Sequence, residues 1–86
     1  MAYTTTIDKD KMTAIYKRIG ANVGKIRKEK GFSQLDLALA MGHKSVTVVS
    51  LPEIVHKGKH FNIEHLFKIS EILEVDIARF FDKTAE

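Results

Sequence analysis

The chain has 86 residues, 44% of them apolar and 29% charged, with a formal net charge of +3 and no cysteine. That length holds one domain with a modest core, and the mixture excludes a disordered chain and, because charge interrupts the apolar runs, a membrane span. Without cysteine there is no disulfide framework, thiolate metal site or cysteine nucleophile, and the N-terminus MAYTTTIDKD lacks the apolar run of a secretory signal, so the protein reads as cytoplasmic.

Residues 1–8 read as a flexible N-terminal tail, 9–82 as the folded domain and 83–86 as a C-terminal tail. Met12, Ile15, Tyr16, Ile19, Val23 and Ile26 fall at i, i+3, i+4, i+7, i+11 and i+14, which predicts a first helix closed by a left-handed Gly31. Ser33 and Asp36 form a capping box that opens a second, short helix, with Leu37, Ala38, Ala40 and Met41 leading to Gly42. A tight turn, Gly42-His43-Lys44, delivers the chain to Ser45, a candidate N-cap.

The following stretch, SVTVVS, has the β-branched composition of a strand. A strand there would be the only one in the chain and would have no partner for its backbone hydrogen bonds. Helix is therefore expected over Ser45 to Ile54, since β-branched residues cost a helix only about 0.5 kcal/mol each. Pro52 lies past the first turn and should kink or shorten this helix by removing the bond to Val48. After a basic loop, His56 to His60, Asn62 caps a helix carrying Ile63, Leu66, Phe67, Ile69, Ser70 and Leu73. Asp76 caps a last short one carrying Ile77, Phe80 and Phe81.

Charge is unevenly placed. Lys9 to Lys30 holds eight basic and two acidic residues, whereas three basic residues face six acidic ones after His60. Such polarity reads either as a basic face presented to a polyanion or as a solvated helix surface. No nucleophile motif or glycine-rich phosphate loop is present, and no cofactor is expected. His56 and His60 have i, i+4 spacing but sit in a loop with Gly58, without a carboxylate or cysteine to complete a set, so no metal site and no enzyme are expected.

Taken together, Ile26-Arg27, Gly31-Phe32-Ser33-Gln34, Leu37-Ala38, Met41-Gly42, Val49-Ser50, Glu53, Leu66, Ile69, Leu73-Glu74-Val75 and Ile77 resemble the helix-turn-helix domain of the phage-repressor type, shared by Cro, lambda repressor and the xenobiotic-response-element regulators. The resemblance implies an all-α, five-helix, lambda-repressor-like fold. Gln34 to Met41 would be its positioning helix, and Ser45 to Ile54 the recognition helix laid in a DNA major groove. It implies base contacts from Ser45, Val46, Thr47, Val48 and Ser50, with valine and threonine methyls meeting thymine methyls. Gln34, Lys44, Lys57 and Lys59 would hold phosphates. Arg27 and Glu53 would form a structural ion pair between the first and third helices. Ser45 equally reads as a plain cap and the lysines as solubility charges.

The match departs from the pattern where many relatives carry Arg, Lys or Gln. That position falls on or near Leu51, which cannot read guanine or adenine bidentately. The methyl-rich face then reads either as a reader of A·T-rich sequence or as a protein contact. The expected partners are double-stranded DNA and a second copy of the chain, with the C-terminal Ile77, Phe80 and Phe81 either at the dimer interface or completing the monomer core. The alternative is a protein-interaction or antitoxin-like module with a degenerate helix-turn-helix, using Val46, Val48 and Leu51 as an apolar patch.

Overall fold

A computed structural model describes residues 5–83, and its regular structure over that range is entirely helical. The expected tails therefore fall partly outside the described residues, at 1–4 and 84–86. Asp8, assigned to the N-terminal tail, caps the first helix: its carboxylate accepts the backbone N–H groups of Asp10 at 2.9 Å and Lys11 at 3.2 Å.

That helix, α1 (Lys9–Glu29), runs 21 residues, about 31 Å at the helical rise. Its apolar stripe continues beyond the body of the protein. Ile19, Val23 and Ile26 are buried, but Met12 and Tyr16 are only half-buried and Ile15 is 37% exposed. The stripe predicts the helix correctly and overstates how much of it meets the core. Gly31, at φ 80°, turns the chain out, and the Phe32 N–H reaches back to the Arg27 carbonyl at 3.0 Å.

The Ser33–Asp36 capping box opens α2 (Gln34–Ala40), with bonds of 2.9 and 3.0 Å. Ser33, through its backbone N–H and then its hydroxyl, holds the Asp36 carboxyl below the usual carboxylate range. The next helix, α3 (Thr47–Ile54), starts two residues later than expected. Val46 is already αR (φ −64°, ψ −20°) and occupies the cap, so Ser45 falls outside the helix and its hydroxyl accepts the Thr47 N–H at 3.2 Å.

Pro52 does not end α3, which runs on to Ile54 and stops when Val55 turns left-handed at φ 53°. A β-branched residue there costs roughly 1–2 kcal/mol, which the rest of the fold must offset. The basic loop after α3 contains a 3-10 turn, His56–Gly58, in which Lys57 is also left-handed. Asn62 caps α4 (Ile63–Leu73) by accepting the His65 N–H at 2.8 Å. The fifth helix is a 3-10 helix, Ile77–Phe81, capped by Asp76 through the Ala78 N–H at 2.8 Å.

One core joins these elements, built on the fully buried Val23, Leu37, Val49, Leu66, Ile69, Leu73 and Phe80. Each contributes about 1.5–3 kcal/mol by leaving water. Phe80 is fully buried and completes the monomer core, Ile77 packs against that core while only half-buried, and Phe81 stays 41% exposed. Asn22 of α1 locks the closing 3-10 helix, donating its amide to the Phe80 carbonyl at 2.9 Å and the Asp82 carbonyl at 2.8 Å. Among the described residues no helix is long and apolar enough to cross a membrane.

Candidate nucleic-acid interface

Two contacts hold α3 in place. On its C-terminal half, Glu53 receives Arg27 Nε at 2.7 Å and Nη2 at 3.2 Å, and Gln34 Nε2 at 2.9 Å, while Arg27 Nη1 bonds the Phe32 carbonyl at 2.8 Å. Both charged side chains are below a tenth exposed, so each needs the other in place. Gln34, read as a phosphate contact, instead has its amide on Glu53, because the carboxylate has acceptor capacity left after Arg27. On its inner face, Val49 is fully buried and Val48 packs against the core.

With that half anchored, the N-terminal face of α3 forms one wall of an open cleft of about 510 Å³. Thr47, Val48, Leu51 and Pro52 come from the helix, His43, Lys44 and Ser45 from the preceding turn, Lys59 and His60 from the following loop, and His65 from α4. Of the expected base contacts, Ser45, Thr47 and Val48 line it. Val46 is exposed and Ser50 half-buried, and neither lines it. Of the expected phosphate contacts, Lys44 and Lys59 stand on it and Lys57, though exposed, does not.

Leu51 and three histidines belong to this cleft and were missed as site residues. Leu51 is expected only in the apolar patch of a protein-contact surface, since it cannot read a purine bidentately, and the histidines are scattered in sequence and meet only through the fold. Tyr16 of α1 stacks on His60 with ring centroids 3.8 Å apart and planes 5° from parallel, bracing the rim. Burial lowers the pKa of His65 below its ordinary value, with His43, Lys68 and His60 acting in the same sense and Glu64 opposing them. Its Nδ1 accepts the Asn62 N–H at 3.4 Å in the cap of α4, a bond that exists only while that nitrogen is unprotonated. Among the described residues no group of three or more His, Cys, Asp or Glu is placed to hold a metal ion.

The arrangement is a short helix with a neutral, methyl-bearing face set between cationic rims. The sequence model of a family described as helix-turn-helix matches residues 23–80, more than half of the chain. No curated protein and no solved structure matches the chain.

Proposed function

The chain belongs to the helix-turn-helix family of the phage-repressor type, a DNA-binding regulatory domain, and on that premise we propose that it binds duplex DNA sequence-specifically with the N-terminal face of α3 in the major groove. The observation that supports this reading is the placement of Lys44 and Lys59 on the cleft that Ser45, Thr47, Val48 and Leu51 line. Lysines on the rim suit phosphates, and neutral side chains between them suit base edges. Regulation then follows from occupancy of the site, in the manner of a repressor.

An eight-residue reading helix covers few base pairs, so the active species is a homodimer on a two-fold site. Phe81 remains available at the C-terminus for such contact. A protein partner is the second reading, favoured by the exposed i, i+4 pairs Leu35 with Leu39 on α2 and Ile63 with Phe67 on α4. Selection of preferred sites from random duplex DNA tests the first: a palindromic consensus supports binding and symmetry together. Absence of binding to any duplex at low salt defeats it.

A further inference from the structure

The eight residues of α3, TVVSLPEI, include no Arg, Lys, Asn or Gln, the side chains that read purines bidentately. The single charged residue, Glu53, is held by Arg27 and Gln34 and is almost fully buried, so it reaches no base. Ser50 is half-buried and lies outside the cleft. The remaining hydroxyls, Ser45 and Thr47, are bonded to each other at 2.7 Å, and Ser45 Oγ also accepts the Thr47 N–H. One hydroxyl proton is therefore consumed internally, and what is left can donate to or accept from almost any base edge.

The apolar atoms are better placed. Thr47, Val48 and Leu51 lie at i, i+1 and i+4 and line the cleft with Pro52, and Val48 is fixed by its packing against the core. The apolar group that a major groove offers such a wall is the methyl on pyrimidine C5. Lys44 and Lys59 on the cleft mark its occupant as a polyanion and not an apolar peptide.

Resting on the DNA-binding reading above, we propose that Thr47, Val48 and Leu51 recognise the C5-methyl group of pyrimidines, so that thymine and 5-methylcytosine are accepted where uracil and cytosine are disfavoured. Specificity in this protein comes from a methyl count along the groove more than from hydrogen-bond pattern. The lysines supply affinity without sequence preference.

The test uses the full chain and two random duplex libraries of one design, made with thymine or with uracil, followed by fluorescence anisotropy on the enriched site. The thymine library should yield a site and the uracil library none. Single thymine-to-uracil replacements at the covered positions should each weaken binding about fourfold, the equivalent of about 0.8 kcal/mol for one buried methyl. At the same positions a 5-methylcytosine·guanine pair should bind about fourfold tighter than cytosine·guanine. Leu51→Ala and Thr47→Ser should bring the thymine-to-uracil ratio toward one, whereas Thr47→Val, which keeps the methyl and puts a second one in place of the hydroxyl, should preserve it. Thr47 is exposed, so its variants remain informative even if Leu51→Ala fails to fold. Equal affinity for thymine and uracil duplexes at every position overturns methyl reading and leaves DNA binding intact. No binding to any duplex at low salt overturns both and assigns the face to a protein.

Discussion

Gly20 of α1 lies so close beneath Pro52 of α3 that a Cβ at position 20 would stand 2.5 Å from the Pro52 carbonyl oxygen and 2.6 Å from that of Glu53. The two helices meet there backbone to backbone, and Gly24, one turn further on the same face, meets the Glu53 side chain, with 3.2 Å from its would-be Cβ to Glu53 Oε1. This contact seats the proline-bearing half of α3 directly on α1, at the point where Pro52 removes one of the helix's own hydrogen bonds.

Gly20→Ala should therefore destabilise the fold, even though alanine gains about 1 kcal/mol of helix propensity over glycine in a free helix. Overpacking against backbone costs roughly 1–3 kcal/mol and cannot be relieved by a rotamer change. Gly24→Ala should cost less, since its neighbour is a side chain. Urea denaturation of both variants measures this. A Gly20→Ala protein as stable as the parent would refute the close approach.

Arg27 and Glu53 form the polar counterpart of that contact. Truncating either to Ala should cost about 3–5 kcal/mol, because a nearly buried charge loses its partner. The double variant should lose less than the sum, whereas additive losses would argue against coupling. Gln34→Ala should weaken the same network by less, about 1.5 kcal/mol, the lower end for a neutral-to-charged hydrogen bond because Gln34 stays partly exposed.

Asn22→Ala should leave the carbonyls of Phe80 and Asp82 without their donor and cost about 1–3 kcal/mol. The loss should be local. Hydrogen exchange should quicken first in the Ile77–Phe81 helix, and uniform acceleration across α1 and α4 would show that Asn22 has some other role.

Periodicity and capping chemistry made the helices legible: Ser33 with Asp36, Asn62, Asp76 and Gly31 mark ends that the structure also shows. Asp8 was missed because it sits among other polar residues. Ser45 was placed as the cap of α3, yet Val46 takes that position, an outcome that depends on how the turn is packed rather than on residue preference. The cleft was harder to foresee. Its histidines come from three separate segments, and Leu51, expected in an apolar patch with Val46 and Val48, shares a wall with Thr47 and Val48 instead. Gly20 and Gly24 stand at an i, i+4 spacing that says nothing by itself; the approach of the Pro52 and Glu53 backbone to Gly20, and of the Glu53 side chain to Gly24, gives it a meaning.

Acid should move stability and DNA affinity in opposite directions. The folded state lowers the His65 pKa below the ordinary histidine value of about 6.5, so the unfolded chain binds more protons in that window. The stability linked to His65 is thus fully present above that value and is lost as pH falls toward the lowered folded pKa. His65 also lines the cleft, where DNA phosphates would favour its charged imidazole, so affinity should rise over the same fall in pH. Urea midpoints and anisotropy from pH 8 to 5.5 measure both trends. His65→Asn should flatten the stability trend, and an affinity independent of pH would remove His65 from the interface.

Positioning and reading separate in a salt series on preferred and random duplexes. Lys59 stands on the rim of the cleft, so Lys59→Ala should weaken binding to both duplexes alike and reduce the magnitude of the salt slope by roughly one. Thr47→Ala removes a hydroxyl and a methyl from the wall itself. It should cost on the order of 1 kcal/mol on the preferred duplex and leave random-duplex affinity and the slope nearly unchanged. The contrast depends on geometry, since Lys59 follows the helix while Thr47 opens it. Equal losses on both duplexes for Thr47→Ala, with a changed slope, would mean that α3 lies along the phosphate backbone and that the bases are read elsewhere.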